Sequence, residues 1–121
     1  MVLHNIPPLY GEKSETLILG SFPSVKSREA EFFYGHPQNR FWRVLAGVFS
    51  APVPETVEQK KKLVLENRLA LWDVIAECEI TGSADTSIKN VKPNDIAGII
   101  EKTAVSRIFV NGKTAEKYSL Y

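Results

Sequence analysis

Thr16-Leu17-Ile18-Leu19-Gly20-Ser21-Phe22-Pro23-Ser24 is an apolar run that stops at a glycine and then turns. Its apolar content and its glycine ending predict a short buried strand closed by a tight turn, although run length alone does not separate strand from helix. Ten residues downstream comes Tyr34-Gly35-His36-Pro37-Gln38-Asn39-Arg40-Phe41-Trp42, which gathers a ring, polar side chains and a turn ahead of a helical pattern. Phe41, Val44, Leu45, Val48 and Phe49 recur at helical spacing, so a helix from Arg40 to about Ser50 should turn an apolar stripe toward a core. Asn39 stands just before that stripe, where asparagine commonly accepts from an early helical N–H. Strand end and helix mouth are therefore expected side by side, as the wall of a pocket.

The rest of the chain repeats this alternation. Ala51-Pro52-Val53-Pro54 breaks the first helix. A second begins near Thr56, which with Gln59 makes a capping-box pattern, and carries Lys60, Lys61 and Lys62 as a solvated face or a phosphate contact. Arg68 to Asp73 reads as a second strand leading into a helix or turn around Val74–Glu79. Thr81–Asn90 reads as a loop, Asn94 as the cap of a helix through Lys102, and Ser106–Asn111 as a third strand running into Gly112 and a last helix. Residues 1–15 form a strand-leading arm with no evident chemistry, and 24–33 a loop with one helical turn. Strands separated by helices call for a parallel sheet covered on both faces, an α/β three-layer sandwich. In such sheets ligands bind beyond the carboxyl ends of the strands, where Gly20–Ser24, Asp73 and Asn111-Gly112 all fall.

A chain of 121 residues supports one domain with a core. Hydrophobic residues make up 44% and charged ones 24%, which argues against disorder and against a membrane-bound chain. The amino terminus lacks the pattern of a secretory signal, so a cytoplasmic, nucleoid-associated location is the default. Cys78 is the single cysteine; it forms no internal disulfide, holds no iron–sulfur cluster, and reads as a small buried hydrophobe. Fifteen basic residues against 14 acidic ones give a net charge of +1, so nucleic-acid affinity must come from local placement of basic groups.

Several chemistries fail on spacing. Asn111-Gly112-Lys113-Thr114 looks like half of a phosphate loop, but the earlier glycine position is Arg107. His4, His36 and Cys78 are too scattered for a metal site, and Ser21 and Ser24 lack the flanking glycines of a nucleophile elbow. Neither metal nor cofactor is expected.

Gly20-Ser21-Phe22-Pro23-Ser24 followed by Gly35 to Trp42 resembles the uracil-DNA glycosylase superfamily, and the deoxyinosine (hypoxanthine) glycosylase branch in particular. Leu71-Trp72-Asp73-Val74-Ile75, Gly82-Ser83-Ala84-Asp85 and Val110-Asn111-Gly112-Lys113-Thr114-Ala115 are similar to the same branch in order and spacing. The resemblance implies base-excision repair without metal or cofactor: double- or single-stranded DNA as partner, a flipped damaged base in the pocket, and hydrolysis of its N-glycosidic bond. No membrane and no obligate protein partner are implied. It implies Asn39 as the catalytic group, Tyr34 as the stacking ring, Gly20, Ser21, Phe22 and Pro23 as the pocket floor, and His36 as a further base-binding residue. On the residues alone, Asn39 is equally a helix cap, the Gly20–Pro23 turn equally a plain turn, His36 equally a turn residue, and Asp73 and Asp85 caps or turn formers. Phe22 stands where the mismatch-specific branch has a water-activating asparagine, which points from uracil toward hypoxanthine. Members of the family continue beyond Tyr118-Ser119-Leu120-Tyr121 with a last strand and a loop that enters DNA. This single domain, 1–121, is therefore expected to be carboxyl-terminally incomplete, lacking its last strand and exposing apolar surface. Two competing readings keep the fold but change the activity: an inactive nucleic-acid-binding remnant, and a hydrolase of free nucleosides.

Overall fold

The strand read from Thr16-Leu17-Ile18-Leu19-Gly20 lies at the centre of the molecule. The computed structural model describes residues 1–35 and 39–118. In chain order the elements are β1 (Val2–Leu3), β2 (Thr16–Gly20), α1 (Val25–Ala30), α2 (Phe41–Val48), α3 (Val57–Glu66), β3 (Leu69–Asp73), β4 (Ile75–Glu79), β5 (Lys89–Pro93), α4 (Ile96–Lys102), β6 (Arg107–Val110) and α5 (Lys113–Tyr118), with a 3-10 turn at Asp85–Ser87. β2 pairs in parallel with β3 on one side and β6 on the other, so Ile18 lies opposite Leu71 and Phe109. A second sheet, in the order β1-β4-β5, is antiparallel.

The two-residue period of a strand sorts the core into two halves. Ile18, Leu69 and Leu71 pack with Trp42 and Leu45 of α2 and with Leu63 and Val64 of α3. Leu17, Leu19 and Ala70 pack on the other face with Ile75 and Cys78 of β4 and Ala115 and Tyr118 of α5. The result is the expected α/β sandwich, with helices on one face of the parallel sheet and the antiparallel sheet with α5 on the other.

Several elements differ from expectation, each for a visible reason. Val74–Glu79 is not a helix or turn: β4 starts two residues after β3 ends, and its central residues pair with the amino-terminal arm and with β5. The arm is thus β1, held by register of Val2 with Cys78 and Leu3 with Glu77. Asn94 does not cap α4; that falls to Asp95, which accepts from Gly98 N–H at 3.1 Å. The Asn94 amide instead donates to the backbone carbonyls of Asp73 and Ile75, tying β5 to the end of β3. Residues 25–30 are a full helix, capped by Ser24 through Ser27 N–H.

The stripe on α2 is narrower than its spacing suggests. Trp42, Leu45 and Ala46 are buried, whereas Val44 and Val48 are exposed. β6 is an edge strand whose Ile108 and Phe109 are also exposed, and an apolar groove of about 480 Å³ runs between Phe109 and Val44, Val48 and Phe49 of α2. Apolar surface is exposed on this side, as expected. The lysines of α3 are not merely solvated: Lys60 and Lys61 lie over the rings of Trp42 and Phe32, 5.4 and 6.0 Å from their centroids. Partial burial of Lys60 lowers its pKa. Cys78 is fully buried, and burial raises its thiol pKa.

The Thr56 and Gln59 side chains close the capping box on α3 in both directions. Thr56→Ala should lower stability by about 1 kcal/mol. Leu71→Ala, which opens a cavity at the centre of the sheet, should cost about 2–5 kcal/mol. Equilibrium urea melts of the two variants check both values.

Candidate active site

β2 is the switch point of the parallel sheet: the chain leaves it toward β3 on one side and returns on the other as β6. The carboxyl ends of the three strands form one edge. Gly20 is opposite Asp73, Leu19 is opposite Val110, and the Asn111 N–H donates to the Leu19 carbonyl at 2.8 Å. A cavity of about 220 Å³ opens on that edge, with Gly20, Ser21, Phe22, Pro23, Tyr34, Asn39, Asp73, Asp85 and Asn111 among its lining residues. This is small beside the roughly 300–1,000 Å³ clefts that take drug-sized ligands, and is on the scale of one nucleobase. Six of the seven residues expected at the site are therefore in one cavity. The seventh, His36, lies outside the described residues.

Asn39 is one residue ahead of the helix cap position, which Arg40 occupies without a side-chain bond. Its Oδ1 nevertheless accepts from the Phe41 N–H at 2.8 Å, so it satisfies an orphan donor of the first turn. Because that partner is a donor, the amide orientation is fixed with oxygen toward the helix. The carbonyl keeps a second lone pair and the Nδ2 group its two hydrogens, leaving polar capacity for a ligand or a water. A capping and a chemical role are compatible in this side chain.

Tyr34 is held from several sides. Its ring stacks on Phe41, with centroids 3.8 Å apart and planes 15° from parallel, so a base can use only the opposite face. Asn111 Nδ2 donates to the phenol oxygen at 3.2 Å. Burial, and then the charge of Asp73, push the phenol pKa well above its ordinary value, so the hydroxyl keeps its proton. Tyr34 has φ of 53°, a left-handed backbone unusual for a large side chain. The next residue anchors this bend: Gly35 N–H donates to the hydroxyl of buried Ser27 at 2.9 Å.

Phe22 is buried and walls the cavity, with the Arg28 guanidinium 5.6 Å from its ring centroid. The loop after β4 closes another side. Ser83 accepts from the Val25 N–H at 2.8 Å, Arg28 donates to the Gly82 carbonyl at 2.7 Å, and the Ser21 hydroxyl lies 3.3 Å from each Asp85 oxygen. Asp85 thus lines the site rather than only shaping a turn.

His4 was not legible as a site residue. It enters from the amino-terminal arm, and its Nε2 lies 2.7 Å from Asp73 Oδ2, with the two side chains 3% and 7% exposed. The ring packs edge-on to Phe22 and Trp72. No local pattern announces a pair 69 residues apart. In the sequence Asp73 stands at a strand end and reads as a cap or turn former, because burial of its carboxylate depends on His4 and on Gly20. A methyl group on Gly20 would overlap Asp73 Oδ1 and approach the Tyr34 hydroxyl to 3.3 Å.

No protein-family model matches the chain. It is 34% identical over 120 residues to a hypoxanthine DNA glycosylase of Methanosarcina acetivorans, covering 98% of this chain and 76% of that one. A hypoxanthine DNA glycosylase of Methanosarcina barkeri is 33% identical over 121 residues, with the same coverage. The chain belongs to the hypoxanthine DNA glycosylases of the uracil-DNA glycosylase superfamily. The fold agrees: the solution structure of a Methanosarcina acetivorans protein provisionally described as a uracil DNA glycosylase superposes with a TM-score of 0.87 at 34% identity, over 99% of this chain and 76% of that one. Membership places the chain among hydrolases of the N-glycosidic bond.

Gly20→Ala should leave the sheet intact but push the Asp73 carboxylate out of position, lowering base excision by about tenfold or more, the scale on which small misplacements act. Single-turnover excision alongside thermal melting checks this.

Proposed function

We propose that this glycosylase removes a deaminated base from DNA, hypoxanthine foremost and uracil as the second candidate, by hydrolysis that leaves an abasic site. The observation that carries the reading is the convergence of Asn39, Tyr34 and the Gly20–Pro23 turn on one base-sized cavity, in a chain whose relatives bear the name hypoxanthine DNA glycosylase. A base flipped out of the helix would lie on the free face of Tyr34, with Phe22 as the wall across from the polar edge. As the bond from C1′ to the base nitrogen breaks, the electron pair leaves with the base and positive charge develops on the sugar. Water then adds at C1′, and the proton it gives up neutralises the departed base.

In this mechanism Asn39 positions the water through the lone pair of Oδ1 that Phe41 does not use, while the helix holds the amide still. Carboxylates are the only charged side chains among the described cavity residues, and their field favours a cationic sugar. Phe22 neither positions nor polarises water, which leaves that task to Asn39. No metal enters the scheme. One catalytic event per base, with no lyase step, is what these groups can supply.

The test is alkaline strand scission of labelled duplexes carrying one deoxyinosine or one deoxyuridine. Scission at deoxyinosine that falls about 100-fold or more in Asn39→Ala supports the reading, given the usual weight of a positioned acid–base or water-orienting group. Salt-sensitive DNA binding without scission would replace it with a binding module, and equal turnover of free deoxyinosine would replace it with a nucleoside hydrolase.

A further inference from the structure

The buried His4–Asp73 pair handles neither the water nor a proton in the hydrolysis above, yet Asp73 lines the cavity. His4 Nδ1 accepts from the Ile6 N–H at 3.3 Å, so that nitrogen carries no proton. The proton is therefore on Nε2, which donates to Asp73 Oδ2 at 2.7 Å. This assigns each atom of the pair one role. Oδ2 is used, and the carboxylate turns Oδ1 toward Gly20 at the cavity edge. Among the described residues no hydrogen bond reaches Oδ1, and it does not rank with the sealed unpartnered atoms, of which Trp72 Nε1 is the one found. Oδ1 is an acceptor kept open to the cavity.

We propose that Asp73 Oδ1 is the specificity-determining acceptor that reads a ring N–H of the base, and that His4 is the positioning residue that holds it in that orientation. The proposal rests on the glycosylase reading above and deepens it. Hypoxanthine and uracil, the deamination products, each carry a lactam N–H beside the carbonyl. Adenine and cytosine present a bare lone pair at the same place, and a carboxylate oxygen repels it. One fixed acceptor thus separates hypoxanthine from adenine and uracil from cytosine whatever the ring size, by leaving a buried group unpaired when the parent base enters. A carboxylate gives no help to a base departing as an anion. Its value here is selection, which is why water positioning and base reading fall on different residues.

The orientation lock makes a sharp prediction. In Asp73→Asn the only oxygen must turn to the His4 N–H, so the amide nitrogen faces the cavity and offers a donor where an acceptor stood. Excision of deoxyinosine should fall, and the ratio of deoxyinosine to deoxynebularine excision, the second base having a bare nitrogen at that position, should drop at least tenfold. Adding His4→Phe to Asp73→Asn frees the amide to turn back and should recover part of the ratio. The experiment is single-turnover excision of both bases by the unaltered protein, Asp73→Asn and the double variant, with melting curves for each. A structural role would lower both substrates together, so an unchanged ratio in a folded, active Asp73→Asn overturns the assignment of Asp73. A ratio that drops but is not moved by His4→Phe overturns the assignment of His4. Absence of excision by the unaltered protein overturns the glycosylase reading and this inference with it.

Discussion

Asp73 puts a carboxylate at the end of β3, beside the central strand, where it is 5% exposed, and burying such a group costs several kcal/mol unless hydrogen bonds replace the lost water. Two features of the fold make that position tenable. His4 donates from an arm held by the pairing of β1 with β4 and by the bridge between Leu9 and Leu71, and Gly20, in register with Asp73, has no side chain to displace the carboxylate. Burial raises the pKa of the Tyr34 phenol, and the Asp73 charge adds to that shift. Pull away the arm or fill the space at Gly20, and the floor of the cavity changes.

The rest of the site is layered on the switch at β2. Parallel pairing on both sides brings three strand ends together, and each contributes a different element: a turn from β2, a carboxylate from β3, an amide from β6. The helices supply what the strands cannot. α1 anchors the bend at Tyr34 and Gly35 through Ser27, while the first turn of α2 stations Asn39 at the rim. The loop around Ser83 and Asp85 is pinned to α1 rather than free. In the proposed mechanism, base recognition and water positioning rest on separate elements with separate supports.

Much of this was legible in the sequence where it was written locally. The apolar run Leu17-Ile18-Leu19 with its glycine ending, the capping box at Thr56 and the succession of strands separated by helices pointed to the parallel sheet and its helices, and strand ends pointed to the cavity. What escaped reading depended on distant partners. Ile75–Glu79 is a strand because β1 and β5 flank it, not because of its own pattern, and Asn94 bonds backwards to Asp73 and Ile75 instead of capping the helix that follows it. On α2 the helical stripe was right in period but only partly in position: Leu45 and Phe41 pack on the core as read and Trp42 and Ala46 join them, while Val44 and Val48 are exposed. His4 lay beyond any window of local pattern. Asp73 was in the right place with the wrong meaning, because burial cannot be read from a single acidic residue at a strand end.

In the proposed complex a flipped, deaminated base occupies the cavity with its ring N–H on Asp73. The most direct test is a crystal structure of the chain with a duplex whose deoxyinosine bears a 2′-fluoro substituent that resists cleavage. The account predicts hypoxanthine on the free face of Tyr34, N1 within hydrogen-bonding distance of Asp73 Oδ1, and a water between Asn39 and C1′. A base that enters the cavity with its lactam edge turned from Asp73, or one that remains stacked in the duplex while the protein is bound, would contradict it.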